Sequence, residues 1–299
     1  MTDIGVRPRV VALIPTWSAE EFIEQTLETL ARQTYPNVEF LISDDASPDA
    51  TAAICERFAA RDPRFRVMRQ ARNLGWVGNV NALLEAARAD YLTFAFQDDL
   101  PAPTYIEECV AALESHPTAI LAYSDVELIE QDGSRTEKRY LALERATSRA
   151  ERARSIARIE GSWWIPNRGV FRASAATTIG GLRRHRGGEF SADWPWLIHM
   201  SLLGEFVRVP GPLVTKIYQA RSLSRSWDFG VRSWSAVTES ALATVWESGI
   251  TTREKWSVSL ALTDVVRNRM WRKVRRAAGS ALRRLGLRPA APVPEQLGR

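Results

Sequence analysis

VEFLISDDASPDAT, residues 38–51, reads as a buried strand, two adjacent acids, a Ser-Pro turn and the opening of a helix. A carboxylate at the carboxyl end of a strand faces the crevice where an open α/β sheet takes its ligand, so the position of Asp44 and Asp45 matters as much as their charge. The neighbouring stretches repeat the pattern. Residues 10–14 form an apolar strand ending in Pro15, Thr16 and Trp17, and residues 20–33 place Phe22, Ile23, Thr26, Leu27 and Leu30 on one helical face. A helix with Asp49 as its cap runs to residue 60, a short strand covers 65–68, and a helix covers 79–87. A very apolar strand, 91–96, then ends in Gln97, Asp98 and Asp99. Repeated βα units with right-handed crossovers imply an α/β fold with a mostly parallel central sheet flanked by helices.

The rest of the chain is less regular. Residues 105–115 read as helix, 120–129 as strand and 131–133 as a hairpin turn. Residues 135–158 are rich in arginine with little apolar period and read as an exposed helix or a mobile loop. Asp193 opens an apolar helix to residue 203, short strands are expected at 206–209 and 213–218, and the pattern from 234 to 285 is helical. Residues 1–230 therefore form the main domain, split near residue 130 into a regular first half and a less regular second half. Residues 231–288 form a helical extension, and 289–299 a disordered tail.

Composition limits the functional classes. The chain has 299 residues, 45% of them hydrophobic, enough for a large core. Cys55 and Cys109 are its only cysteines and both fall in helical segments, which excludes a CxxC metal site and fits a reducing cytosol. Without an apolar signal core or a stretch of about 18 apolar residues, a cytoplasmic protein is expected, peripheral to the inner face of the plasma membrane at most. The net charge of +5 is unevenly placed. After Asp264 come ten Lys or Arg residues and one acid, leaving 30 basic against 34 acidic residues before that point. This is not the charge pattern of a nucleic-acid binder.

The acids carry the chemistry. Asp98 and Asp99 repel each other unless a cation or donors compensate, and Mg²⁺ or Mn²⁺ binds through one or two carboxylates plus substrate phosphates. Asp44 and Asp45 are turn and cap residues or acceptors for a base N–H, with Trp17 available to stack on the base. Asp193 is an N-cap or a general base, with Glu189 as a nearby alternative. His185 lies in the loop leading to Asp193, whereas His116 and His199 read as structural or solvated. Trp163 and Trp164 offer rings for a ligand to stack on, or are core.

Taken together, VALIPTW (11–17), LARQTYPNVEFLISDDASPDAT (30–51), RNLGWVGNVNALLEAARADYLTFAFQDDL (72–100) and ADWPWLIHMSLLGEFVRVPGPLV (192–214) resemble the inverting family 2 glycosyltransferases of the GT-A fold. The resemblance covers about residues 10–225. It implies a nucleotide-sugar donor of UDP or dTDP type, a hydroxyl acceptor, lipid-linked or not, and Mg²⁺ or Mn²⁺ as cofactor. By position it assigns the nucleotide to Trp17 and Asp45 with Pro15, Thr16 and Asp44 beside them, the metal to Asp99, and a ribose or metal contact to Asp98. Asp193 takes the place of the catalytic base. Two departures stand out. Ala192 replaces the first acid of the usual Glu-Asp pair, and Gln219 stands where many members carry a histidine, leaving Lys216, Arg221 or Arg225 to supply positive charge to the diphosphate. The Gln-x-x-Arg-Trp motif of processive synthases is absent, which implies one sugar per encounter in polysaccharide, glycolipid or glycoconjugate synthesis.

Rival readings are a sugar-phosphate nucleotidyltransferase, which would need a glycine-rich phosphate loop where PTWSAE stands, and a protein of this fold that binds carbohydrate or membrane without catalysis. The tail has its own alternatives. Val266, Met270, Val274, Ala277, Ala281 and Leu285 recur at helical spacing among arginines, so residues 265–288 form a basic amphipathic helix for a membrane surface, the acidic body or a second subunit in a homodimer.

Overall fold

The computed structural model describes residues 7–159, 161–218 and 227–284. Four strands build the first half: β1 (Val10–Thr16), β2 (Val38–Asp44), β3 (Phe65–Arg69) and β4 (Tyr91–Phe94). They pair in parallel in the order β3-β2-β1-β4, with Val10 opposite both Val38 and Tyr91. Helices α1 (Ile23–Ala31), α2 (Thr51–Arg61) and α3 (Gly75–Ala86) supply the crossovers. β1 is buried at every residue, as expected of a strand covered on both faces. The α1 stripe of Ile23, Thr26, Leu27 and Leu30 is buried, so the apolar spacing seen in the sequence becomes the helix's core face. This register sets Thr16 opposite Asp44 at the sheet's carboxyl edge.

The second half departs from that regularity. β5 (Asp99–Pro101) pairs antiparallel with β9 (Glu205–Ile217), which runs parallel to β6 (Ala119–Ile129). β8 (Val170–Arg172) closes the sheet by pairing antiparallel with both β4 and β6, and β7 (Arg135–Lys138) forms a hairpin on β6. The full path is β3-β2-β1-β4-β8-β6-β9-β5. The strand expected over 91–96 therefore stops at Phe94, and Asp99 belongs to a separate strand at the far end of this path. The two strands expected at 206–209 and 213–218 are one strand with an irregularity near Ser124 and Asp125 of its partner. There, buried Asp125 accepts from Arg208 Nε at 2.7 Å and from the Gly211 N–H at 3.1 Å.

Residues 135–158 also correct the expectation of an exposed helix or loop. Within them α5 (Arg149–Ala157) buries Ala153, Ile156 and Ala157 completely. Its inward face is mostly alanine and serine, which gives a weak apolar period although it is core. Ile156 O accepts from the indole N–H of the fully buried Trp194 at 2.9 Å, joining α5 to α7 (Asp193–Leu203). The helical stretch expected from 234 onward is two helices, α8 (Val231–Glu247) and α9 (Thr252–Arg284), broken at Ser248 and packed on α5 and α7. Helices α4 (Tyr105–Ser115) and α6 (Ala173–Ile179) complete the fold. Cys55 and Cys109 are buried free thiols within α2 and α4. Residues 289–299, expected to be disordered, lie outside the described residues.

Candidate active site

At the edge formed by β1 and β2, both acids are buried. Asp44 Oδ2 accepts the Ser47 N–H at 3.2 Å, and Asp45 Oδ1 accepts the Leu74 N–H at 2.6 Å at the entry to α3. Asp45 N–H in turn donates to Thr16 O at 3.0 Å. Burial pushes the Asp45 carboxyl above its ordinary value, opposed by the Leu74 and Gly75 amides and reinforced by the charges of Glu189 and Asp44. Thr16 Oγ1, Asp44 Oδ1 and Asn79 Oδ1 are buried here without a hydrogen-bond partner among the described residues, so the edge retains acceptor and donor capacity for a bound group. Trp17, just beyond Pro15 and Thr16, is half exposed, and its backbone is clamped by the Gln97 amide, whose Oε1 accepts the Trp17 N–H at 2.9 Å. Gln97 thus ties the end of β4 to the end of β1, a role the sequence did not signal.

The second acid pair is held differently. Asp99 is directly opposite Lys216 in the β5–β9 pairing, and Lys216 Nζ lies 3.3 Å from Asp98 Oδ2 and 3.6 Å from Asp99 Oδ1. Arg168 Nε lies 2.6 Å from Asp99 Oδ2, a nearly buried ion pair. The Arg168 guanidinium is flanked by Phe96 and Trp164, 5.1 and 4.8 Å from the ring centroids. Trp164 is therefore part of the Arg168 setting, and both Trp163 and Trp164 are partly buried and pack against the core.

Arg168 belongs to a 3-10 turn, Ile165–Arg168, whose preceding residue Asn167 reaches Asp193. Asn167 Nδ2 donates to Asp193 Oδ2 at 2.5 Å, while Asp193 Oδ1 is buried without a partner among the described residues. Asp193 starts α7 and lines a small cleft with Trp76, Phe94, Phe96, Leu182 and Trp196. Burial pushes its carboxyl up to about 6, against the opposing pull of the α7 backbone amides and of Arg168. Consecutive residues of one short turn therefore hold the two acids that sequence reading had placed in separate roles. Nothing in the sequence marks Asn167 or Arg168 except their place in the polar end of WWIPNRG.

Other candidates are occupied elsewhere. Glu189 accepts the Trp76 N–H at 2.8 Å and the Val77 N–H at 3.3 Å and pairs with Arg184, so its carboxylate caps α3. His185 uses both ring nitrogens, with Phe190 O at 2.7 Å and the Gly187 N–H at 3.0 Å, and fastens its own loop. Gln219, Arg221 and Arg225 lie outside the described residues.

Asp98 and Asp99 fit a divalent cation by their chemistry. Their oxygens are hard donors, Asp99 Oδ2 is buried without an aligned hydrogen bond, and two carboxylates suffice when substrate phosphates complete the shell. In this structure Lys216 and Arg168 balance their charge, and no cluster of three acid, histidine or cysteine ligands occurs among the described residues.

A sequence profile of glycosyl transferase family 2 matches residues 11–174, more than half of the chain. The chain belongs to that family. The match takes in both acid pairs and the turn bearing Asn167 and Arg168; Asp193 lies beyond it. Among the relatives of this glycosyltransferase are an uncharacterized glycosyltransferase of Haemophilus influenzae, 28% identical over 42% of this chain and 39% of that protein. The putative glycosyltransferase EpsH of Bacillus subtilis is 38% identical over 34% of this chain and 29% of that protein. The chain thus spans well under half the length of these relatives. Solved structures share the GT-A fold. Staphylococcus aureus TarS 1–349, in complex with UDP-GlcNAc, superposes with a TM-score of 0.69 at 14% identity over 85% of this chain and 71% of that one. The mannosyltransferase PcManGT of Pyrobaculum calidifontis, in complex with GDP-Man and Mn²⁺, gives 0.58 at 17% identity over 93% and 81%.

Proposed function

We propose that this glycosyltransferase moves one sugar per encounter from a UDP- or dTDP-sugar to an acceptor hydroxyl, with inversion, in the assembly of a polysaccharide, glycolipid or glycoconjugate. The observation that carries this reading is the placement of Asp193. Its carboxylate is buried, its affinity for a proton is raised to near pH 6, and Asn167 orients it one residue from the cation that faces Asp99. A carboxylate raised to that value is deprotonated at neutral pH and still basic enough to accept a proton.

Donor recognition falls to the β1–β2 edge, where Trp17 offers a ring and Asp44 and Asp45 offer carboxylates beside the buried Thr16 and Asn79. Asp98 and Asp99 would hold Mg²⁺ or Mn²⁺, whose chemistry is to neutralise the diphosphate of the donor. Lys216, next to both, is the protein's own cation for that charge. Asp193 removes the proton from the acceptor hydroxyl. The acceptor oxygen then bonds to the anomeric carbon as the carbon–oxygen bond to the diphosphate breaks on the opposite face. The electron pair leaves with the nucleoside diphosphate, and a single displacement inverts the anomeric centre.

The test is Asp193→Asn. Nucleoside diphosphate release with an accepted donor and acceptor should fall by about 10²- to 10⁴-fold, with donor affinity retained and product anomeric configuration read by NMR. Unchanged turnover, or a product of retained configuration, rejects the reading.

A further inference from the structure

Helix α9 buries Val258, Ala261, Leu262 and Val265 in the core. Its other side also carries large apolar residues, with Thr263 and Arg267 between them. Trp256, Leu260, Met270, Trp271 and Val274 are 58%, 64%, 50%, 61% and 58% exposed. At 3.6 residues per turn, positions 256, 260, 263, 267, 270, 271 and 274 share one stripe, about 27 Å long at 1.5 Å per residue. Trp246 of α8, also exposed, meets Trp256 edge-on with ring centroids 5.4 Å apart and widens the stripe at its start. Sequence periodicity had placed the apolar line from Val266 onward. In the structure it begins ten residues earlier, because the inner line that ends at Val265 is spent on the body while Trp256 and Leu260 face outward.

An exposed run of this length marks a contact surface, and charge identifies the occupant. The last twenty residues of α9, 265–284, contain eight Lys or Arg and no acid. The nearby acids are paired: Glu247 with Arg183, Glu254 with Arg149, and Asp264 with Arg267. A second copy of the chain meeting this face symmetrically would bring like charges together. An anionic lipid surface is attracted to the same cations, while tryptophans at the stripe's two ends suit the boundary between headgroups and acyl chains.

We propose that the 256–274 face of α9, together with Trp246, docks on an anionic bilayer, with the helix lying in the plane of the headgroups. Among the described residues no helix is long and apolar enough to cross a membrane, so the contact is a surface one. The proposal is independent of the catalytic reading.

The full chain would be sedimented with vesicles of equal parts phosphatidylglycerol and phosphatidylcholine and, separately, of phosphatidylcholine alone. Binding should be at least about tenfold tighter to the anionic vesicles and should weaken as salt rises from about 0.1 to about 0.5 M. The triple variant Trp256→Ser, Leu260→Ser, Trp271→Ser should bind at least about tenfold more weakly with an unchanged circular dichroism spectrum. Should that variant unfold, Arg267→Ser with Arg275→Ser decides, since it should weaken binding to the anionic vesicles only. Failure of the wild type to sediment, equal binding to both vesicles, or wild-type binding by the folded variants overturns the proposal. So does a dimer in light scattering that the triple variant abolishes, which would assign the face to a second copy.

Discussion

Asp44–Asp45 and Asp98–Asp99 are both adjacent acids at the ends of strands in the same sheet, yet they are held by different means. The first pair accepts backbone N–H groups, from Ser47 and Leu74, within the parallel half of the sheet. The second is balanced by side-chain cations, Arg168 and Lys216, brought in by the turn before β8 and by β9. Backbone donors fix a carboxylate wherever the chain fold is intact. Side-chain cations reach the acids only because distant segments meet there, so the second pair is the one that tertiary packing holds.

The largest effect should come from breaking that second arrangement. Arg168→Met leaves Asp99 buried with Lys216 as its remaining cation and should cost about 1.5–3 kcal/mol in urea unfolding, the usual worth of a hydrogen bond to a charged group. Asp45→Asn keeps an acceptor for the Leu74 N–H and should cost no more than about 1–1.5 kcal/mol. If the two costs are equal, the distinction between the pairs fails.

Donor titrations with and without Mn²⁺ sharpen it further. Asp99→Asn should weaken donor binding in Mn²⁺ by about tenfold or more, equivalent to about 1.4 kcal/mol, with little change in its absence. Asp45→Asn should weaken binding equally in both conditions. A metal-dependent loss at Asp45 would reverse the assignment.

Asp193 belongs to the side-chain-built group, and its proton affinity should report this. The rate should be flat above about pH 6 and fall with unit slope below it, because the base acts deprotonated. Stability moves the other way. The folded value lies above the ordinary 3.8, so between about 6 and 3.8 the native state holds this proton more tightly. The stability difference between wild type and Asp193→Asn should therefore shift in the wild type's favour as pH falls through that window. Asn167→Ala, which removes the donor to the charged form, should move the rate limb to higher pH. An unmoved limb would show that Asn167 does not orient the base.

The smallest change is expected at Trp164→Leu. It removes one of the two rings flanking Arg168 and should cost about 0.5–1 kcal/mol beyond lost packing, with Phe96 retained. A loss as large as that of Arg168→Met would mean that the rings, rather than Asp99, hold the guanidinium in place.

How legible these regions were follows the same division. The strand at 10–14 extends only to Thr16, and the helix at 193–203 has the expected bounds, because apolar spacing and strand-end polarity are local signals. Residues 135–158 misled because α5 makes its core face from alanine and serine, which carry little hydrophobic contrast. Asp99 misled as a strand end because three residues of β5 acquire strand form only by pairing with β9, more than a hundred residues away. Glu189 was ambiguous because a carboxylate before an apolar helix suits a base or a cap, and its partners belong to α3.

Sequence alone determined the α/β class, the parallel half, the family resemblance and the residue types at the site. Those depend on periodicity and on motifs that each stretch carries by itself. Tertiary structure decided that Arg168 faces Asp99, that Asn167 holds Asp193, that burial raises that carboxyl, and that α9 turns a tryptophan-bearing stripe outward. Each of these depends on which distant segments meet, and the meeting is set by packing of the whole chain rather than by the pattern of any one part.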